Sequence, residues 1–314
     1  MGASILHITN GDSTTNYLKN LRFSGEFITW REMLCEGKTS TDVGSETFWK
    51  NRFQFLKSSY NISKKKFIDY TLKEYRTLCN RKNHDEIVLW FEFDLFCQIN
   101  MIAVLSWLKR HRKGYNISLV CSGKIGKSNK MHTLPELNEN QIQNHFDKRI
   151  LLTEDDIAYA DYIWQLYCSD SPLRLETVYK FKNKNPFQYL ASAIEMHLKR
   201  FPSIENGLNE VENRILKTAD NKHPVTKNKL THHLLKEQSD YGFGDIQYEN
   251  SINELKKLFS SFNPVELSKK GKQVLENQIN YYAHLRNDNS YLGGSKKYSF
   301  LYHNKANKLL QITS

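Results

Sequence analysis

Three short stretches hold the residues whose types and spacing suit chemistry. Asn10-Gly11-Asp12-Ser13 closes an alternating, β-rich run, Ser4 to Thr9. Trp30-Arg31-Glu32 ends a second such run, Glu26 to Trp30, and leads into Cys35-Glu36-Gly37. Glu92-Phe93-Asp94 follows the continuous apolar run Ile87 to Phe91. Gly11 lets a backbone approach a ligand closely, and N–H groups at a following helix start suit a phosphate or carboxylate. Asp12 is placed to hold a ribose hydroxyl or a metal. The plainer alternative is an Asx-type turn with Ser13 as N-cap. Glu92 and Asp94 stand two apart on an extended chain and so point the same way. With Asp12 they would make an oxygen-rich Mg²⁺ or Mn²⁺ site, or one of them would carry a raised pKa and move a proton. Gln98 would orient a substrate. The alternative is that Asp94 caps the next helix and Glu92 pairs with Arg31 or Arg52. Arg52 would otherwise close over an anion.

The surrounding elements decide whether these residues meet. Periodicity predicts a helix over Thr14 to Leu21, helices over Glu46 to Tyr60 and Lys64 to Cys79, and another over Leu95 to Arg110. Asn116 to Cys121 reads as a strand. The order β-α-β-αα-β-α-β predicts a Rossmann-like open parallel sheet, in which ligands bind beyond the carboxyl ends of the strands. Glu86 to Phe91, apolar throughout after its first residue, predicts a central strand covered on both faces.

From about residue 135 the pattern turns helical: Glu136 to Phe146, Thr153 to Cys168, Pro172 to Phe181 and Tyr189 to Phe201. Thr153 and Thr226 suit N-caps. Further helices are expected over Asn209 to Thr218, Thr226 to Gln238, Asn250 to Phe259 and Lys269 to Asn277. Tyr298 to Tyr302 and Leu309 to Ile312 read as a two-stranded wing, which makes the last third winged-helix-like. The expected division is an α/β domain over 1–130, a helical extension over 131–202 and a winged-helix-like domain over 203–314, with the boundary near Lys182 to Pro186 or Pro202 to Asn206.

The bulk numbers narrow the classes. The chain has 314 residues, 39% of them hydrophobic, and no apolar run approaches the roughly 18 residues of a membrane span. It lacks the features of a signal peptide at its start, so a cytoplasmic location is expected. Five cysteines without a Cys-x-x-Cys spacing predict buried thiols rather than disulfides or a zinc knuckle. The net charge of +11 invites a nucleic-acid reading, yet it is spread evenly, +7 over 1–202 and +4 over 203–314. Adjacent His232 and His233 point to different helix faces and do not suit one metal. Neither a G-x-G-x-x-G nor a Walker A pattern occurs.

Taken in order, the stretches Leu6 to Ser13, Trp30 to Gly37 and Val88 to Gln98 resemble the bacterial family known as domain of unknown function 1835. Gly207 to Glu212, Leu267 to Gly271 and Tyr291 to Gly294 are similar to the tail that accompanies that domain. Two positions depart from the pattern: Phe93 stands where a histidine is expected between the acids, and Lys38 where a proline often follows Glu-Gly. The resemblance implies the domain layout and weight for the acidic and Asn-Gly-Asp positions; it implies no reaction.

These readings converge on one expectation. An enzyme would use Asp12, Glu92 and Asp94 for catalysis and metal binding, with Asn10, Gly11, Ser13, Trp30, Glu32, Arg52 and Gln98 around a nucleotide or other phosphorylated small molecule. The alternatives are a ligand-sensing regulator that binds DNA through its C-terminal part, where Lys227, Lys229, His232, His233 and Lys236 form a modest stripe, and a protein-interaction adaptor.

Overall fold

The computed structural model describes residues 4–126, 130–180, 186–238 and 240–312. Its first part runs β1 (Ile5–Asn10), α1 (Asp12–Asn20), β2 (Glu26–Trp30), β3 (Gly37–Lys38), α2 (Glu46–Tyr60), α3 (Lys64–Phe67), α4 (Lys73–Asn80), β4 (Glu86–Phe91), α5 (Leu95–His111) and β5 (Asn116–Cys121). A π turn, Ile68–Leu72, joins α3 to α4, so the helix expected over 64–79 is one rod with an underwound middle. The main sheet has the order β2-β1-β4-β5-β6, where β6 is Ile150–Leu151. The first four strands are parallel, and β6 adds an antiparallel edge to β5. The strand order reverses between β1 and β4, the place where open α/β sheets leave a crevice.

β4 is covered on both faces, as its apolar run predicts. Ile87, Leu89 and Phe91 join the large core together with Leu6, Ile8 and α5. Val88 and Trp90, on the opposite face, pack in a smaller cluster with Leu18, Val120 and Ile142. The period of two therefore divides one strand between two cores. α5 is apolar nearly all round and is buried without a break from Cys97 to Leu108, which lets it serve as the central helix.

The chain continues through α6 (Glu139–Asp147), α7 (Glu154–Tyr167), α8 (Glu176–Lys180) and α9 (Leu190–Leu198). Thr153 caps α7 in a capping box with Asp156, as expected. The helix expected over 136–146 begins at Glu139, capped by Asn138, after a separate 3₁₀ turn at Leu134–Glu136; the one expected over 172–181 begins as a 3₁₀ turn at Pro172–Leu175, where proline at the first position favours a tight start. Of the expected boundary near 182–186, residues 182–185 lie outside the described residues. Three helices follow, α10 (Glu210–Lys222), α11 (Lys227–Glu237) and α12 (Asp245–Glu254), then the hairpin β7 (Phe259–Phe262) and β8 (Val265–Leu267). Thr226 caps α11 as predicted. The third helix begins five residues before the predicted Asn250. The chain ends with α13 (Lys269–Leu275), α14 (Tyr282–Leu285), β9 (Tyr291–Gly293), β10 (Ser295–Lys296), β11 (Phe300–His303) and β12 (Lys308–Gln311). β11 and β12 pair antiparallel, close to the predicted strands. The hairpin that directly follows the third helix, however, is β7–β8.

The ends of the chain are interlocked. β3 pairs in parallel with β9, joining Gly37 and Lys38 to Leu292 and Gly293. One buried cluster extends from Leu6 to Leu309. Among the described residues all five cysteines are free, and no helix is long and apolar enough to cross a membrane.

His197 is fully buried in this core, and neither ring nitrogen has a hydrogen-bond partner. Burial, helped by nearby Arg200, lowers its pKa to about 3. The folded value lies below the unfolded one, so the neutral ring's contribution is complete above pH ~6.5 and is lost as pH falls toward 3. Wild type should therefore lose about 2 kcal/mol relative to His197→Leu between pH 7.5 and 5, read by urea unfolding at each pH. Parallel stability curves would mean that the imidazole is hydrated or paired.

Candidate functional site

The three motif stretches meet at the carboxyl edge of the sheet, and Asn100 of α5 joins them. Its Nδ2 donates to Asn10 Oδ1 (2.7 Å) and to the Glu32 carbonyl (2.5 Å), and its Oδ1 accepts from Leu34 N–H (3.2 Å). Asn10 in turn donates through Nδ2 to Cys97 Sγ at 3.0 Å. Asn10 is thus an internal brace.

The edge does not gather all the acids that the sequence suggests. Asp12 lies at the surface, its side chain 49% exposed, and both its oxygens accept from Arg31. Arg31 also pairs with Glu74 at 3.4 Å. The first turn of α1 carries Asp12 outward, which takes it away from Glu92 and Asp94. Ser13 is exposed and is not the cap: Gly11 holds that position, with no side-chain cap bond. Trp30 is buried and contributes its carbonyl to Gly11 N–H.

Arg52 is fully buried and does not close over an anion. Its Nε donates to Glu32 Oε2 at 2.8 Å, and its two terminal nitrogens donate to the carbonyls of Met33, Glu36 and Lys38. The loop 31–38 is wrapped around one guanidinium. Gly37 completes the wrap: its φ is +69°, and a Cβ there would lie 2.3 Å from the Phe55 ring.

Glu92, Asp94 and Cys97 do come together, with one ligand-type atom from each within 4.8 Å of the others. Asp94 caps α5 by accepting Cys97 N–H at 2.8 Å, the alternative the sequence left open. Glu92 pairs with neither Arg31 nor Arg52, since both are engaged elsewhere. It accepts Leu134 N–H at 2.8 Å and lies 3.9 Å from the Cys97 thiol. Gln98 donates to the Glu92 carbonyl, while its own Oε1 is buried without a partner. Burial, then the adjacent Asp94, push Glu92 up to about 7, and burial raises Asp94 as well. The remaining N–H groups at the start of α5 are spent: Leu95 donates to Asp240 O and Phe96 to Tyr241 O. Gly242 sits directly on the Asp94 carboxylate, where a Cβ would be 2.1 Å from Oδ1.

A cavity of about 960 Å³ opens on the other side of the 31–38 loop. Glu36, Gly37 and Lys38 form one wall with Phe55 and Tyr60 of α2; Arg200, Glu212, Phe243 and Lys297 form another. Tyr60 Oη donates to Glu36, and Arg200 reaches Glu36 at 3.4 Å and donates to the Cys35 carbonyl. Lys297 pairs with Glu212 at 2.9 Å, and both are nearly buried. Burial alone would lower the Lys297 pKa, but Glu212 and other neighbours outweigh it and hold the ammonium above its usual range. That ammonium donates to Glu212 and lies over the Tyr298 ring. Asparagine and glutamine side chains, among them Asn51, Gln54 and Asn289, line the rest.

Sequence reasoning named Glu36 and Gly37 as motif residues but missed Tyr60, Arg200, Glu212 and Lys297 as wall residues. The resemblance touched Glu212 as part of Gly207 to Glu212; nothing local marks Arg200 or Lys297.

No protein-family model matches the chain, and no curated protein matches it. Among solved structures, the chain is similar to the Plasmodium falciparum topoisomerase II DNA-binding, cleavage and re-ligation domain, at 10% identity and a TM-score of 0.43. The match covers 81% of this chain and 42% of that one. A likeness so slight carries no argument.

Replacing Arg52 with Met strands a buried carboxylate and three loop carbonyls. It should cost about 3–5 kcal/mol, measured by urea unfolding, and Glu32→Leu in the same chain should recover part of the loss. A cost under about 1 kcal/mol would show that the pair behaves like a surface ion pair.

Proposed function

We propose that this protein binds a nucleotide or another phosphorylated small molecule, and that the ligand occupies the cavity between the 31–38 loop and the C-terminal helices. One observation carries the reading: two buried cations, Arg200 and Lys297, face a polar cavity that residues from both ends of the chain build together. Charges are buried where pairing or a ligand compensates them. Each has an acidic partner in the cavity wall, Glu36 or Glu212. The volume falls in the range of small-molecule sites. Aromatic side chains Phe55, Tyr60 and Phe243 offer a surface for a ring, and the amides suit hydroxyl and base edges. Glu92 and Asp94 do not line this cavity, so the reading is one of binding and gives them no step in it.

In this reading the first 121 residues form a Rossmann-like unit. The reversal of strand order between β1 and β4 supports that, as does the parallel pairing. The meeting of the first two motif stretches at Asn100, with Asn10 reaching Cys97 beside the third, supports grouping the chain with domain of unknown function 1835. Helices α10 to α12 with the β7–β8 hairpin suit a winged-helix-like unit. Its third helix would be the one to enter a DNA groove. That helix carries Asp245, Glu249 and Glu254, has no lysine or arginine, and buries Tyr248 and Ile252. Lys227, Lys229 and Lys236 stand on α11 instead. The unit therefore serves to wall the cavity, and the DNA-binding reading is the weaker one.

A panel of nucleotides and sugar phosphates, with and without Mg²⁺ or Mn²⁺, should include a member that raises the melting temperature by a few degrees, since a ligand at 100 times its Kd adds about 2.7 kcal/mol. Lys297→Met with Glu212→Gln removes the ammonium without stranding a carboxylate. It should lose that shift while keeping its fold by circular dichroism. A flat panel, or an undiminished shift in the variant, sinks the reading. Duplex DNA should bind no more tightly than non-specific binding at physiological salt, a Kd of roughly 10⁻⁴–10⁻⁶ M. Sub-micromolar, salt-sensitive affinity in fluorescence anisotropy would restore the regulator.

A further inference from the structure

We propose that Glu92, Asp94 and Cys97 form a site for one borderline divalent transition-metal ion of the zinc type, with the Gln98 side-chain oxygen as a fourth ligand. The inference stands apart from the cavity reading and does not need it. Three observations lead to it.

First, the donor set differs from the Mg²⁺ or Mn²⁺ site expected from the sequence. Asp12 is engaged with Arg31 at the surface, and the third donor beside the two carboxylates is a thiol, within 4.8 Å of both. Carboxylate oxygens alone suit hard cations; a thiolate among them selects zinc and its neighbours.

Second, two of the three groups are buried, Glu92 is half-buried, and the carboxylates lack a counter-charge among the described residues. Asp94 and Cys97 are 4% exposed. Among the described residues no lysine or arginine forms an ion pair with Glu92 or Asp94; Arg52 and Arg31 serve Glu32 and Asp12. Two adjacent carboxylates, one buried and one half-buried, call for a cation or a shared proton.

Third, polar groups nearby are arranged as a metal's surroundings are. Gln98 is 1% exposed and its Oε1 has no partner, while its amide nitrogen is fixed on the Glu92 carbonyl. Asn10 directs an N–H at Cys97 Sγ from 3.0 Å, the kind of donor that orients and stabilises a metal-bound thiolate. Asn100 holds Asn10 in place. Binding is an exchange: Cys97 releases its thiol proton to solvent as the metal–sulfur bond forms, and any proton on Glu92 leaves with it.

The test uses the full chain, stripped with a chelator and titrated with Co²⁺ alone, then Zn²⁺ alone, then Mg²⁺ alone. One Co²⁺ per chain should bind with a near-ultraviolet sulfur-to-metal charge-transfer band. Zn²⁺ should displace it and Mg²⁺ should not. Cys97→Ser should lose the band, and Cys79→Ser, which changes a thiol outside the cluster, should keep it. Asn10→Ala should weaken Co²⁺ binding about 10–100-fold. If Asp94→Asn fails to fold because it also caps α5, Glu92→Gln supplies the carboxylate variant and should weaken binding at least as much as Asn10→Ala. No Co²⁺ or Zn²⁺ binding at millimolar metal, binding without the band, or a band that survives in Cys97→Ser would each overturn the site.

Discussion

The guanidinium of Arg52 is the fixed point around which the sheet edge is organised. A buried arginine is tolerable when its N–H fork is satisfied, and here four of its five N–H groups are spoken for by one carboxylate and three carbonyls. All four acceptors belong to the loop 31–38. A loop of that length would ordinarily expose its carbonyls to water; wrapped around a cation it goes inside instead. Everything further along depends on that placement. Gly37 and Lys38 can pair with β9 because the wrap presents their backbone edge. Glu36 can face the cavity because its carbonyl is held from behind.

The same edge shows why charge pairing has to be read in three dimensions. Arg31 and Arg52 were both candidate partners of Glu92, and both pair elsewhere: Asp12 and Glu74 for one, Glu32 for the other. That choice leaves Glu92 and Asp94 as a buried pair with Cys97 as neighbour. The segment 240–243 then seals them: its carbonyls accept N–H groups of the first turn of α5, and Gly242 lies on the carboxylate. With φ at +66° and no room for a Cβ, that position admits glycine for both reasons.

Much of the framework was legible in the sequence because it rests on local periodicity. The four parallel strands, the central position of β4, the helices α2, α5 and α7, and the caps Asp94, Thr153 and Thr226 all follow from patterns a few residues long. β6 was not legible: it has two residues, both exposed, and owes its existence to the edge of β5. Nor was the β3–β9 pairing, whose partners lie about 250 residues apart. The acids were found as a motif, yet their convergence was overstated, since the direction of Asp12 depends on which turn of α1 it occupies. Cys97 was legible only as one of five buried thiols, not as a member of the acids' group. Arg200 and Lys297 have no local signal at all; what marks them is their burial on a cavity wall.

That distinction bears on how the cavity and the edge relate. Arg200 donates to the carbonyl of Cys35 and reaches the carboxylate of Glu36, both in the loop that Arg52 organises. Phe243 lines the cavity one residue after Gly242 covers Asp94. The loop 31–38 and the segment 240–243 are therefore each shared between the buried acid cluster and the cavity wall. Arg200 is stacked over the Phe243 ring. The two places thus share their backbone, held by the guanidinium of Arg52 on one side and by the N-terminus of α5 on the other.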